Sequence, residues 1–372
     1  MGFAEVISAC PFLKTRTLTV LRLYINVIYE RGYRVKKLGL VYLLLIGIFV
    51  VYLLNYRLQA NNVDPWETAG LRGNLEDTYV MLTFQIGIDY WKSVLKGFED
   101  GAEDLNVSVE YHGSTQHNAN EQMTVLEQVI AKKPAGIAIS AVNSKLLTET
   151  INKAVESGIP VVIFDSGAPD SKAYSFLGTD NYKAGAEAAR KMADLTDAKG
   201  EVAIITTPDQ HNHQERTAGF TDTIREHYPA MKLVAIKDGR GDQLASRGAA
   251  EQILADYPRL AGIFATESKG GIGVAEAVSA AKGNSAALPK IISFDTDKET
   301  LDLVKKGGIS ATMAQGTWNM GYWSLLELFQ LHRDLAADPA VYKNNKLLPV
   351  PGMVDTGIDV VTPVNVDNYY AK

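Results

Sequence analysis

Short hydrophobic runs alternate with amphipathic segments along most of the chain after residue 78. The runs rich in β-formers are 79–84, 107–111, 136–140, 161–164, 202–206, 233–236, 262–265, 291–294 and 311–314. Between them, apolar residues recur every three or four positions, which predicts helices with one apolar face. Runs such as GIAIS and VVIF are apolar without alternation, as in parallel strands covered on both faces. Nine such units exceed one sheet of ordinary size, so the pattern predicts an α/β fold class with two doubly wound parallel-sheet domains.

The most apolar segment lies near the N-terminus. Residues 38–54 read LGLVYLLLIGIFVVYLL and carry no charge. As a helix this segment would span roughly 26 Å, close to the thickness of a bilayer core. We therefore interpret 38–56 as a transmembrane anchor or a signal peptide, because a cleaved leader also has a basic segment before an apolar one. Residues 57–77, mostly polar with Pro65, Gly70 and Gly73, are expected to form a tether.

Charge is distributed unevenly on the two sides of this segment. Residues 1–37 carry seven Lys/Arg against two Glu, a net charge of +5. The other 335 residues carry 30 cations and 41 carboxylates, a net charge of -11. The positive-inside rule predicts a cytoplasmic basic segment over 1–37 and a single-pass membrane protein whose body is extracytoplasmic. A body this acidic argues against nucleic acid as a partner, because a protein surface that binds nucleic acid needs clustered cations.

Composition further limits the class of protein that this chain can be. A chain of 372 residues with 46% hydrophobic residues can bury about two domain cores. The single cysteine, Cys10, excludes a disulfide framework and a cysteine-rich metal site.

Candidate functional residues follow the predicted strands directly. In open parallel sheets, ligands bind beyond the carboxyl ends of the strands. The residues singled out there are Tyr90, Trp91, Asp165, Arg216, Glu267, Asp295 and Gln315. Carboxylates, amides and guanidinium groups can each pair with two neighbouring hydroxyls, and aromatic rings pack against the C–H faces of a sugar. The set predicts a polyhydroxylated ligand.

Other interpretations of these residues stay open. Asp165 and Asp295 could be helix N-caps, and Arg216 could lie on the surface. Tyr90 and Trp91 could pack in a core, and Glu267 could face solvent.

No catalytic residue, metal or cofactor is predicted. No nucleophile is paired with a base, so we expect the chain not to be an enzyme. Asp209, His211 and His213 alternate in a way that could hold a metal, but polar residues at the lip of a cleft are the favoured interpretation. Gly271 and Gly273 open a predicted helix, but the third glycine of a dinucleotide loop is replaced by Glu276.

Several motifs in order carry a family resemblance. They are DYWKSVLKGFEDGAEDL (89–105), ESGIPVVIFDS (156–166), FLGTDNYKAGAEAA (176–189), QERTAGF (214–220), IISFDTD (291–297), ATMAQ (311–315) and DTGIDVVTPVNVD (355–367). From about residue 78 onward the chain resembles the sugar-binding branch of the type I periplasmic binding proteins and is similar to ribose-binding proteins. Two positions depart from the family pattern: Asp89 replaces a proline, and Glu267 replaces an asparagine or aspartate. Both departures bear on which sugar is bound.

The resemblance implies two Rossmann-like domains joined by three crossings, near 179/180, 315/316 and 356/357. The lobes would then be 78–179 plus 316–356, and 180–315 plus 357–372. Asp165, Arg216, Asp295 and Gln315 match residues that bind sugar hydroxyls, and Tyr90 and Trp91 match the stacking aromatics.

The implied function is binding of a monosaccharide or related polyol in the cleft, with closure about the hinge. The chain would be the substrate-binding component of an ABC transporter and would deliver its ligand to the permease. The alternative is a membrane-tethered sugar sensor that signals to a histidine kinase or chemoreceptor.

Overall fold

The computed structural model describes residues 23, 42–55, 72–281, 288–333, 335 and 349–370. The chain divides into two compact units, 1–71 and 72–372. In the first unit, residues 42–55 form a helix with exposed side chains. Among the described residues, no helix has both the length and the apolar character needed to cross a membrane. The predicted anchor spans 38–56, of which residues 38–41 and 56 lie outside the described residues. The predicted basic segment 1–37, except residue 23, and residues 57–71 of the predicted tether also lie outside them.

The second unit alternates strands and helices. The strands are β1 (Thr78–Thr83), β2 (Ser108–Gly113), β3 (Gly136–Ile139), β4 (Val161–Phe164), β5 (Phe176–Gly178), β6 (Gly200–Thr206), β7 (Met231–Asp238), β8 (Leu260–Ala265), β9 (Lys290–Phe294), β10 (Ala311–Gln315), β11 (Met353–Asp355) and β12 (Ile358–Val361). The helices are α1 (Tyr90–Leu105), α2 (Ala119–Lys132), α3 (Ser144–Glu156), α4 (Asn181–Thr196), α5 (His211–His227), α6 (Gln243–Asp256), α7 (Ser268–Ala280), α8 (Lys298–Lys305) and α9 (Thr317–His332), and a 3₁₀ turn follows at Val366–Asn368. Every run predicted as a strand overlaps an observed strand. The short strands β5, β11 and β12 were not among the predicted runs.

The strands form two six-stranded sheets, which confirms the α/β class. One sheet has the order β11-β5-β4-β3-β1-β2, and the other has the order β12-β10-β9-β8-β6-β7. All described pairings are parallel except that of β12 with β10. We call the part around the first sheet the N-lobe and the part around the second sheet the C-lobe.

The chain passes between the lobes at three places. It leaves the N-lobe after β5 and enters the C-lobe at α4. It returns after β10, since α9 packs against α1 and the strands of the first sheet. It crosses again between β11 and β12, over residues 355–358. The three crossings lie close together, since Thr179 Oγ1 donates to Gln315 Oε1 and the Asp180 N–H donates to Asp355 Oδ1.

The central strands are buried on both faces, as their continuous apolar sequences predict. In β6, Val202 and Ile204 belong to one hydrophobic cluster, while Ala203 and Ile205 belong to a second cluster on the other face. Because side chains alternate along a strand, helices cover both faces of this sheet. Polar residues at the strand ends are therefore left facing the gap between the lobes.

The C-lobe helix that carries Arg216 is packed unusually close to its neighbour. A Cβ on Gly185 of α4 would lie 2.1 Å from the Arg216 carbonyl oxygen of α5, and one on Gly219 of α5 would lie 1.9 Å from the Tyr182 carbonyl oxygen. These contacts leave no room for a side chain, so only glycine permits the crossing. The crossing fixes the backbone from which the Arg216 side chain extends.

Candidate ligand-binding cleft

A cleft of about 760 Å³ separates the lobes at the carboxyl ends of their strands. All seven residues predicted from the sequence line it: Tyr90, Trp91, Asp165, Arg216, Glu267, Asp295 and Gln315. Tyr90, Trp91 and Asp165 belong to the N-lobe, and Gln315 ends β10 at a crossing. The structure thus brings together residues that are up to 225 positions apart in sequence.

Three cleft residues share an uncommon backbone conformation. Gln85, Asp165 and Asp295 follow β1, β4 and β9, with φ angles of 48°, 58° and 69°. Residues other than glycine rarely adopt this left-handed backbone conformation, and such backbone strain is concentrated at functional sites. Neither Asp165 nor Asp295 caps a helix in this position.

Asp165 is held by two hydroxyl donors. Its Oδ1 accepts a hydrogen bond from Tyr90 Oη at 2.6 Å, and its Oδ2 accepts one from Ser140 Oγ at 2.8 Å. Burial raises the pKa of this carboxyl, while the Tyr90 hydroxyl, the Arg216 charge and the Ser140 hydroxyl act in the opposite direction. The donors both fix the orientation of the group and favour its ionised form.

Trp91 lies deeper than Tyr90. Its side chain is 2% exposed, and its indole N–H donates to the Phe84 carbonyl oxygen at 2.8 Å. Its ring makes edge contacts with Phe84 and Phe164 at 5.3 and 6.0 Å between centroids. Trp91 therefore belongs to the N-lobe core while also lining the cleft wall.

Arg216 is a buried cation, 2% exposed. Its guanidinium donates through Nε to Asn181 Oδ1, through Nη1 to the Thr266 carbonyl oxygen and through Nη2 to Gln315 Oε1, at 2.8, 2.9 and 3.0 Å. It also lies over the Phe294 ring, 3.7 Å from the centroid. Three of its five N–H groups are used, so two remain for a ligand. The surface interpretation of this residue is wrong.

Gln315 connects the lobes. Its Nε2 donates to Asp295 Oδ1 of the C-lobe at 2.6 Å and to Tyr90 Oη of the N-lobe at 3.3 Å. Its Oε1 accepts from Arg216 and from Thr179 Oγ1, the latter at 2.9 Å and beside another crossing. All four of its hydrogen-bonding positions are occupied by the protein.

Two further carboxyls lie at the C-lobe wall. Glu267 precedes α7 and caps it, accepting from the backbone N–H groups of Lys269 and Gly270 at 2.8 and 2.5 Å. Burial raises the pKa of Glu267 to about 7, although the Gly270 N–H lowers it. Burial also raises the pKa of Asp295 to about 7, against the opposing effects of Arg216 and Gln315. Glu267 is therefore both a helix cap and a cleft residue, since the free lone pairs of a capping carboxylate remain available.

Several cleft residues were not in the predicted set. Gln85, Gln210, Asn212, His213 and His117 line the same cleft. Gln85 lies two residues after β1, so it is among the residues that follow a strand, but it was not chosen for the predicted set. His213 lies three residues before Arg216, one helical turn away on the same side of α5, and this spacing is also visible in the sequence. His117 lies in a loop, and no pattern marked it.

The alternating Asp209, His211 and His213 do not converge. His211 Nε2 lies 3.5 Å from Glu215 Oε1, and His213 Nδ1 lies 2.7 Å from Thr266 Oγ1. Within the part of the chain that the structure describes, no three His, Cys, Asp or Glu side chains are grouped so as to hold a metal ion.

Comparison with known proteins identifies the family of this chain. Residues 79–333 match the family model described as a periplasmic binding protein domain. The chain belongs to the periplasmic binding protein family. Within it, the chain belongs to the sugar-binding proteins of ABC transporters, and such solute-binding proteins are not enzymes.

Two solved structures are similar over most of the chain. One is titled the structure of AraP, an arabinose binding protein from Geobacillus stearothermophilus: it is 62% identical, covers 79% of this chain and 99% of that one, and has a TM-score of 0.70. The other is a sugar-binding protein of a sugar ABC transporter from Bacillus halodurans: it is 61% identical, covers 79% and 100% of the two chains, and has a TM-score of 0.73. Among curated proteins, the D-allose-binding periplasmic protein of Escherichia coli is 27% identical over 255 residues, 65% of this chain and 80% of that protein.

Proposed function

We propose that the cleft binds a neutral monosaccharide, with a pentose such as arabinose as the first candidate. The observation that carries this is the buried Arg216, which lines one cavity with the carboxyls of Asp165 and Asp295 and has two N–H groups that the protein does not use. A hydroxyl that accepts from an arginine and donates to a carboxylate satisfies both groups at once. Arg216 and the two carboxylates together carry a charge of -1 when both carboxyls are ionised, so the site does not attract an anionic ligand. Arabinose is favoured because AraP is 62% identical to this chain.

Binding and closure are coupled in this proposal. Sugar groups contact the N-lobe through Tyr90 and Asp165 and the C-lobe through Arg216, Glu267 and Asp295. Only a closed form makes both sets of contacts, so the ligand shifts the population towards closure. Gln315 Nε2 donates to Tyr90 of the N-lobe and to Asp295 of the C-lobe, so it connects the two lobes beside the cleft.

Isothermal titration of the full-length protein tests the proposal. The panel comprises L-arabinose, D-xylose, D-ribose, D-galactose, D-glucose and a pentitol. We expect saturable binding of at least one aldose, tightest for a pentose, and loss of binding in Arg216→Met, which keeps an unbranched apolar stem but removes the hydrogen-bond donors. The exposed Arg190 of α4, changed to Met, is the control and should leave affinity unchanged. Absence of binding across the panel contradicts the proposal.

We also propose that residues 38–56 anchor the protein in the cell membrane, with the second unit on the extracytoplasmic side. The support is the uncharged apolar sequence of 38–54 and the +5 charge before it. Fractionation of cells, followed by N-terminal sequencing of the membrane-bound protein, tests this. A soluble mature chain that begins after residue 56 would show a cleaved signal peptide instead.

We propose that the closed, sugar-bound protein docks on an ABC permease, as in the transporters to which its family belongs. A membrane sensor kinase is the second candidate, and the solved complex titled XylFII-LytSN, 26% identical over 77% of this chain, shows this fold together with a second protein. Deletion of the gene separates the two candidates. Loss of sugar uptake with transporter expression held constant supports the permease, whereas loss of sugar-induced transcription alone supports the sensor.

A further inference from the structure

His213 lies inside the cleft, although it has no assigned part in binding. It is the third residue of α5 and is 4% exposed. It lines the cavity beside Arg216. Its backbone N–H donates to Asn212 Oδ1 at 3.0 Å, which fixes the start of the helix around it.

Neighbouring hydroxyls favour the tautomer of the ring that carries its proton on Nδ1. Thr266 Oγ1 donates its proton to Thr206 Oγ1 at 3.1 Å. Thr266 has only one hydroxyl proton, so the 2.7 Å contact between His213 Nδ1 and Thr266 Oγ1 uses the proton on Nδ1. In a neutral ring the other nitrogen, Nε2, then carries a lone pair.

The ring is neutral in the physiological range. Burial lowers the pKa of His213 well below its ordinary value, and the charges of Arg216 and His117 act in the same direction. Across the described residues, Nε2 makes no hydrogen bond with the protein. A buried ring is therefore held in place by one nitrogen while the other has an unused acceptor.

We infer that His213 Nε2 accepts a hydrogen bond from one hydroxyl of the bound sugar and so determines which sugars bind. The inference rests on the proposed function and assigns a specificity-determining residue to it. A carboxylate has several lone pairs and can adjust to different hydroxyl positions, but this imidazole nitrogen has one lone pair in the plane of a fixed ring. A sugar without a donor at that point leaves a buried acceptor unpaired, and this is the kind of loss that gives strong discrimination.

The variant His213→Asn isolates this contact. Its amide can keep the donation to Thr266 from the position of Nδ1, but nothing replaces Nε2. His211→Asn is the matched control, because His211 is on the same helix, pairs with Glu215 and does not line the cleft. Both variants and the wild type are titrated with the tightest sugar of the panel and with its monodeoxy and deoxyfluoro analogues.

At one sugar position, the deoxy and deoxyfluoro analogues should both bind the wild type roughly tenfold more weakly, because fluorine cannot donate a hydrogen bond. H213N should bind the parent sugar roughly tenfold more weakly than the wild type does. For H213N, the affinities for those two analogues should differ from its affinity for the parent sugar by less than twofold. H211N should behave as the wild type. If H213N keeps the parent affinity and the wild-type analogue pattern, this inference is overturned while the proposed function stands. If the wild type binds no sugar at all, the proposed function fails first.

Nitrogen NMR of the wild type gives a second readout, which does not depend on affinity. With ¹⁵N-histidine, the six histidines give separate ring patterns, and that of His213 is assigned by its absence from H213N or H213Q. We expect a neutral ring protonated on Nδ1, whose Nε2 resonance moves when sugar is added. A proton on Nε2, or an Nε2 resonance unmoved at saturation, overturns the inference.

Discussion

Tyr90 Oη donates to Asp165 Oδ1 across 2.6 Å, so an aromatic side chain at the cleft also controls a buried carboxylate. The ring was predicted from the sequence to stack on a sugar, but its hydroxyl contacts Asp165 and receives a hydrogen bond from Gln315. Through Gln315, the pair is connected to the crossing that follows β10.

Replacing Tyr90 by Phe should weaken sugar binding, and more so at low pH. The variant keeps the ring but removes a donor that opposes the raised pKa of Asp165, so protonation of this carboxyl competes with sugar at a higher pH. We expect a loss of roughly fivefold to tenfold in affinity at pH 8, the value of one buried hydrogen bond, and a larger loss at pH 6. Titration calorimetry at both values measures it.

Tyr111→Phe is the control for this prediction. Its hydroxyl pairs with Thr83 Oγ1 at 2.8 Å in the same lobe, and Tyr111 does not line the cleft. Equal losses in the two variants would mean that the effect comes from general destabilisation of the N-lobe.

Sugar binding should release protons near neutral pH. Burial raises the pKa of both Asp295 and Glu267 to about 7, and a hydroxyl donor favours their ionised forms. Affinity should therefore fall as pH decreases from 8 to 6, by up to about tenfold per pH unit for each carboxylate whose ionisation is required. Calorimetry at pH 7 in two buffers of different ionisation enthalpy counts the released protons.

Asp295→Asn separates the two carboxyls. The variant should bind more weakly at pH 8 and release fewer protons than the wild type at pH 7. Proton release that is unchanged by D295N would show that Asp295 is already ionised in the free protein.

Gly185→Ala should lower both stability and affinity. The added methyl would meet the Arg216 carbonyl oxygen, so α5 must move away from α4 and carry Arg216 with it. We expect about 2 kcal/mol of destabilisation, typical of overpacking, and at least tenfold weaker sugar binding. Urea denaturation and calorimetry measure the two effects.

Gly248→Ala is the matched control on α6, where an added Cβ would meet nothing within 4 Å. It should stabilise the protein by up to about 1 kcal/mol through helix propensity and leave affinity unchanged. If G185A keeps wild-type affinity, the close helix crossing does not position Arg216.

The fold was predictable because its strands are buried on both faces. GIAI in β3 and VVIF in β4 have no polar interruption, and Asp165 and Asp295, the residues directly after β4 and β9, line the cleft. Strands β5, β11 and β12 gave no such signal, since each has three or four residues and β11 and β12 lie at sheet edges. Short edge strands are set by tertiary pairing more than by their own pattern.

The sequence predicted which residues lie in the cleft better than it predicted the hydrogen bonds that these residues make. Strand ends located Asp165 and Asp295, and Arg216 was singled out in the segment that follows β6. Nothing local indicates that all four positions of the Gln315 amide are occupied by the protein, because its partners lie as far as 225 residues away. The helix-capping role of Glu267 and the tautomer of His213 likewise depend on groups that only the fold brings together.

Glu327 should make the stability of the N-lobe depend on pH. This carboxyl of α9 is 5% exposed, and its Oε2 has no hydrogen-bond partner within the described structure. Burial raises its pKa from 4.5 to about 7, so the folded state binds the proton more tightly than the unfolded state does. The contribution to stability is therefore fully present below about pH 4.5 and is lost as pH rises through 7.

Glu327→Gln replaces the acid by a neutral group of the same size and should remove this dependence. At pH 8.5 we expect the variant to be more stable than the wild type by about 2 kcal/mol, while at pH 5 the two should differ by less than about 0.5 kcal/mol. Urea denaturation at both pH values measures the difference, with Glu149→Gln, an exposed position of α3, as the control. A gain from E327Q that is the same at both pH values would show that packing, and not the buried charge, is responsible.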